Sequence, residues 1–202
     1  MIVGIDFSIN STALAIKIGK KPLLFSFVPN YKPGKAAFKV HDAIKGIVTT
    51  RGYTKEPSSK DSLEDQCIKL RNADNLSNEI LSIFKLLALE DQITEIRIEG
   101  FSYASKGNSF IDLITFNTFL KVKLIQKFGH IIKVVPPKTL KKAYTGNGNA
   151  SKCDMVRHYM NSSNEKLQQK MVEMNIVKEE DFIIQKPLDD LIDAIGLTSI
   201  WE

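Results

Sequence analysis

Four carboxylates are spaced so that they could share a metal ion. Asp6 closes the short apolar run Ile2-Val3-Gly4-Ile5, and Glu99 closes Ile96-Arg97-Ile98. Asp190 and Asp193 stand three residues apart, so on a helix they project from one face. Acids at two strand ends and on one helical face can converge on a single point. Held there they cannot all stay ionised, because each like charge raises the pKa of the others. Hard cations with oxygen ligands, Mg2+ or Mn2+, resolve that conflict. Two such ions, roughly 3.5–4 Å apart, activate water and stabilise the leaving oxygen of a phosphodiester. Each acid also has a plainer use: Asp6 could organise a turn, Glu99 could face solvent, and Asp190 with Asp189 could complement a helix dipole. Asp193, between Ile192 and Ala194 and beside an apolar stripe, is harder to dismiss.

The elements that must position these acids are legible as alternating patterns. Residues 2–6, 12–18 and 22–28 are short apolar runs separated by turn-type residues, which predicts a three-stranded antiparallel meander. Residues 29–62, rich in Pro, Lys, Gly and Ser, read as an excursion from the sheet with an exposed loop over 55–61. Helical spacing of Ile68, Ala73, Leu76, Ile80, Ile83, Phe84 and Leu87 predicts a long helix over 63–89. A strand over 93–99, a helix over 110–128 and a strand over 131–135 follow, the last stopped by Pro136-Pro137. Residues 146–149 (Gly-Asn-Gly-Asn) form a loop, and Ser151 with Asp154 opens a helix in the manner of a capping box. The segment 188–201 carries Leu188, Leu191, Ile192, Ile195 and Ile200 on one face, with acids in its first turns. This order implies an α/β fold: a mixed five-stranded sheet with helices on both faces, as in a ribonuclease H-like domain. Taken with that sheet order, the four acids read as a metal site.

A chain of 202 residues, 43% hydrophobic and 25% charged, has enough material for one sizeable core, so residues 1–202 are expected to form a single domain. No apolar run approaches the roughly 20 residues that cross a bilayer, and MIVGIDFS lacks a charged leader. Cys67 and Cys153 make no disulfide framework or zinc spacing. A reduced, cytoplasmic setting without membrane association is expected. The net charge of +5 weakly favours a polyanionic partner. Its distribution says more: Lys121, Lys123, Lys127, Lys133, Lys138, Lys141 and Lys142 crowd one stretch. That stretch reads either as a phosphate-contacting surface beside the metal site or as a solvated lysine face.

At this point four blocks resemble the RuvC family of Holliday-junction resolvases, in the family's order. Residues 2–12 (Ile-Val-Gly-Ile-Asp-Phe-Ser-Ile-Asn-Ser-Thr) resemble its opening strand, catalytic Asp and small-residue turn. Ile96-Arg97-Ile98-Glu99-Gly100-Phe101 resembles the strand that carries its catalytic Glu. Residues 137–152 resemble its strand exit, basic helix, Gly-x-Gly loop and lysine, and Asp190-Leu191-Ile192-Asp193 resembles its terminal acidic pair. The resemblance implies that Asp6, Glu99, Asp190 and Asp193 ligate Mg2+, with Mn2+ as a substitute. It places Lys141 and Lys152 near the scissile phosphate, where a lysine offsets developing charge, and puts Lys138 in a basic position before them. Lys142 is a further DNA-facing candidate, or an exposed surface residue. The implied activity is resolution of four-way DNA junctions by paired symmetric nicks, and the implied assembly is a homodimer, two equivalent sites for two equivalent strands.

Departures from the pattern matter too. The family's wedge aromatic falls here on Ser102, flanked by Phe101 and Tyr103; Tyr103 could open the junction, while Phe101 could equally be core. Segments 49–62 and 161–187 are longer than the bacterial pattern, which suggests a divergent branch such as a viral one. Three rivals remain open. Gly4-Ile5-Asp6 through Thr12 also resembles the first phosphate motif of sugar kinases and actin-like ATPases, although no second domain or adenosine motif accompanies it. A different nuclease or transposase of the same superfamily would use the same chemistry on another substrate. A silent DNA-binding module is disfavoured by the presence of all four acids.

Overall fold

The computed structural model describes residues 1–19, 21–101, 108–162, 166–175 and 185–200. Strands β1 (Ile2–Asp6), β2 (Thr12–Ile18) and β3 (Lys21–Pro29) form the predicted meander. A short helix α1 (Lys39–Ala43) leads to β4 (Val48–Tyr53), and the long helix α2 (Ser62–Leu86) to β5 (Glu95–Glu99). Then come α3 (Asn108–Phe128), β6 (Ile132–Val135), α4 (Pro137–Thr145), α5 (Lys152–Ser162), α6 (Lys166–Glu173) and α7 (Leu188–Ser199). The sheet order is β4-β3-β2-β1-β5-β6, with β1–β2 and β2–β3 antiparallel and β3–β4, β1–β5 and β5–β6 parallel.

The sheet therefore has six strands, not the five expected. The addition is β4, inside the segment read as an excursion. Only its first and last residues, Val48 and Tyr53, are buried. An edge strand pairs through one backbone ladder and can lack the apolar alternation that marks a strand facing a core. Its far end serves the opposite side of the sheet. The Tyr53 hydroxyl donates to the Ile9 carbonyl at 2.5 Å and the Lys55 ammonium to Asn10 Oδ1 at 2.8 Å. The Asn72 amide in turn clamps both backbone groups of Glu56, at 2.7 and 3.0 Å. The turn after Asp6 is thus tied to a segment more than 40 residues away.

Period-two alternation divides the sheet into two unlike faces. Val3, Ile5, Leu14, Ile16, Phe25, Phe27, Ile96 and Ile98 point to one side and pack with Ile80 and Phe84 of α2 and Leu120 and Leu124 of α3. Each such large side chain contributes roughly 1.5–3 kcal/mol on burial. On the other face, Ala13, Ala15 and Leu24 meet Leu191, Ala194 and Ile195 of α7, which in turn rests on Leu140, Met155 and Tyr159. Small residues here let α7 lie close to the strands. At Gly4 a Cβ would fall 2.1 Å from the Ala194 carbonyl oxygen and 2.9 Å from Leu197 Cβ. The far end of α7 is pinned by buried Arg97 of β5, whose guanidinium donates to the carbonyls of Leu197 (2.9 Å) and Ile200 (2.5 Å).

Local sequence sets the helix ends. Asp61 accepts from Leu63 N and Glu64 N and so caps α2, which gives the end of the predicted loop a definite task. Pro137 starts α4, and Gly146, at φ 82°, ends it in the left-handed conformation. The capping box at α5 forms with Asp in the usual Glu or Gln role: Asp154 N donates to Ser151 Oγ at 3.1 Å and Ser151 N to Asp154 Oδ2 at 2.8 Å.

Candidate metal centre

Neighbouring parallel strands β1 and β5 end side by side, and α7 crosses them with its first turn over that end. Asp6 and Glu99 are the terminal residues of the two strands, and Asp193 is presented by α7. One carboxylate oxygen from each of these three residues lies within 4.8 Å of the others. Around them is a cleft of about 340 Å³, lined also by Asp190, Lys141, Lys152, Lys186, Phe101 and Asn117.

The electrostatics are those of acids crowded without a counter-cation. Burial, followed by the charges of Glu99, Asp190 and Asp193, holds Asp6 well above the usual carboxylate range. Glu99 is raised by burial and by the Asp190 charge, while a side-chain hydrogen bond with Asp6 and the charges of Lys141 and Lys152 work the other way. Burial and the charges of Glu99 and Asp190 push Asp193 up to about 8. Three converging oxygen donors that resist ionisation together suit a hard divalent cation, which would hold them all in the charged form.

Asp190 shares the cleft but not the three-carboxylate group. Burial and the Asp189 charge raise its pKa, while the Lys186 ammonium, hydrogen-bonded to its Oδ1, works the other way. Its Oδ2 is buried, and a side-chain hydrogen bond with Ser11 also works to lower its pKa. Asp189 belongs to a separate ion pair: burial disfavours its charge, but Lys152 contacts its Oδ2 and Lys186 lies 3.5 Å away, so its pKa stays low. Lys152 therefore reaches the cleft with its charge already engaged. Lys141 lines the cleft from α4. Lys138 and Lys142 do not; they border a separate shallow groove with Gly148 and Asn149. Tyr103 lies outside the described residues. Phe101 faces the cleft with the Lys121 ammonium 4.8 Å from its ring centroid, so it is not simply core.

The basic stretch is less available to DNA than the lysine run implies. Lys123 is bound to Asp74 and Asn78, Lys127 to Glu90, and Lys133 to Glu95 at 2.7 Å. Those three lysines staple α3 and β6 to neighbouring elements. Two cleft residues escaped the sequence reading. Lys186 gave no signal, since a lysine before a proline looks like any loop. Asn117 did give one: it interrupts the stripe Leu113, Leu120, Leu124 on α3, and it is buried with Oδ1 unpartnered at the cleft.

No family model matches the chain. Curated proteins do. Crossover junction endodeoxyribonuclease RuvC of Sulfurovum sp. (strain NBC37-1) is 31% identical over 85 residues, covering 42% of this chain and 53% of that protein. RuvC of Helicobacter hepaticus is 31% identical over 103 residues, covering 50% of this chain and 55% of the relative. Among solved structures, Thermus thermophilus RuvC in complex with a Holliday junction substrate matches with a TM-score of 0.50 at 13% identity, over 98% of this chain and 89% of that one. In sequence and in fold, the chain resembles RuvC. The yeast mitochondrial Holliday junction resolvase Ydc2 shares the fold as well, with a TM-score of 0.51 at 14% identity over 98% of this chain and 75% of that one. The matched stretches span about half the length of the curated RuvC relatives, between 53% and 55% for these two. Both structural likenesses extend over 98% of this chain and concern the fold.

Proposed function

We propose that this chain is a metal-dependent endonuclease that resolves four-way DNA junctions by paired, symmetric nicks. The observation that carries the reading is the convergence of Asp6, Glu99 and Asp193 from three elements, each offering an oxygen within 4.8 Å of the others. The RuvC relatives, and the RuvC structure bound to a Holliday junction, supply the substrate class.

In this reading Asp6, Glu99, Asp190 and Asp193 hold Mg2+, for which Mn2+ substitutes. Bound by these residues, the cations would supply an activated water and stabilisation for the leaving oxygen of the phosphodiester. The carboxylates keep their ligand atoms fixed on two strand ends and one helix. Lys141 and Lys152 face the scissile phosphate, where positive charge favours the transition state. Lys138 and Lys142 extend that surface along the DNA backbone, and Tyr103 is the wedge candidate. The protein acts as a homodimer in the cytoplasm. On α3, Ile111, Ile114, Val122 and Ile125 form an exposed apolar stripe, which supports association of two copies. Among the described residues no helix is long and apolar enough to cross a membrane.

The test is cleavage and gel shift on one preparation, with a synthetic junction and a linear duplex. Asp6→Asn should abolish cutting and keep junction binding, since losing a carboxylate relieves its repulsion of phosphate. Robust cutting by Asp6→Asn would sink the metal assignment. Equal rates of the wild type on junction and duplex would assign a general ribonuclease H-like nuclease instead.

A further inference from the structure

The acids of the centre are not equivalent. Asp6, Glu99 and Asp193 stand open to one another, whereas Asp190 already has a cation. That cation is Lys186, immediately ahead of α7, with its ammonium on Asp190 Oδ1 and 3.5 Å from Asp189 Oδ2. Asp189 does not depend on it, because Lys152 serves that carboxylate independently. Asp190 does: it is 3% exposed, its other polar neighbour is the neutral Ser11 hydroxyl, and among the described residues Lys186 is the cation that pairs with it. An uncompensated buried carboxylate is costly, and a paired cation offsets that cost. Lys186 itself is half exposed, with a side-chain exposure of 49%, so its long stem can swing away without opening the core.

We propose that Lys186 is a resident counter-ion that closes the Asp190 side of the centre to a second divalent cation in the DNA-free protein. One ion loads through Asp6, Glu99 and Asp193. Asp190 becomes a ligand only when the ammonium lets go. The inference rests on the metal-dependent reading above, and it makes Lys186 a positioning residue that acts through Asp190.

The experiment is Mn2+ titration of the DNA-free full chain, with free Mn2+ followed by electron paramagnetic resonance and folding checked by thermal melting. Wild type should take up one ion per chain, Lys186→Met two, and Lys186→Arg one, because arginine restores the cation. A role confined to packing would leave the stoichiometry alone. Two ions in the wild type, or one ion in Lys186→Met, would overturn the inference while leaving the metal-dependent nuclease intact. Absence of Mn2+ binding by folded wild type would overturn both.

Discussion

The contact at Gly4 allows the coupling between fold and centre to be tested with one methyl group. In Gly4→Ala the new Cβ would sit 2.1 Å from the Ala194 carbonyl oxygen, where a normal contact needs more than 3 Å. The obstacle is helix backbone, so no side-chain rotation relieves it. The helix must move out by roughly 1 Å, in a core that answers overpacking with about 1–3 kcal/mol of lost stability. Arg97 grips the Leu197 and Ile200 carbonyls, so α7 tilts about its C-terminal end and the displacement grows toward Asp193 and Asp190. A misplacement of about 1 Å costs on the order of 100-fold in rate when reacting groups must be held in register. We therefore expect a modest loss in urea melts, a large loss in single-turnover junction cleavage, and weakened Mn2+ binding. Leu124→Ala, in the α2–α3 layer, is the control: about 2–5 kcal/mol less stable, yet with its Mn2+ affinity retained. Wild-type cleavage and Mn2+ affinity in Gly4→Ala would refute the claim that the width of this contact sets the geometry of the centre.

Two further outcomes follow from buried polar groups. Asn117→Leu should raise the melting temperature, by about 2–4 °C per kcal/mol gained, because it removes an unpartnered buried carbonyl, and should slow cleavage because that amide faces the cleft; a lower melting temperature would show that the amide is satisfied. Asp193 has its pKa raised to about 8 from 3.8, so the metal-free fold binds a proton that the unfolded chain has released, and its contribution to stability falls as pH rises from about 4 to 8. Asp193→Asn should therefore stabilise the metal-free protein more at pH 7 than at pH 5 in thermal melts, and an equal gain at both would contradict the shift.

Much of this arrangement was legible because periodicity reports burial. Asp6 and Glu99 could be placed because each ends an apolar run, and Asp193 because it sits beside a helical stripe. What escaped has no periodic signature. The β4 strand buries only its two end residues, so composition read it as loop. Lys123, Lys127 and Lys133 looked like a phosphate track because a run of charge does not reveal partners lying 37 to 49 residues away. Lys186 acquires meaning only once α7 has folded back onto β1. Asn117 was visible as a polar break in an apolar face, and could have been read as a cleft residue on that ground alone.

The neighbourhood of β1 and α7 bears on how the protein comes into being. Asp6 is synthesised well before Asp193, from which it lies far away in sequence, yet they share one centre. Domains emerge N-terminal end first, so until α7 is released β1 lies without its cover and the acids are short of their third member. A nascent or prematurely terminated chain thus carries the strands and the lysines but no complete centre. The chain's own topology withholds a complete carboxylate centre from any copy whose synthesis has not yet passed α7.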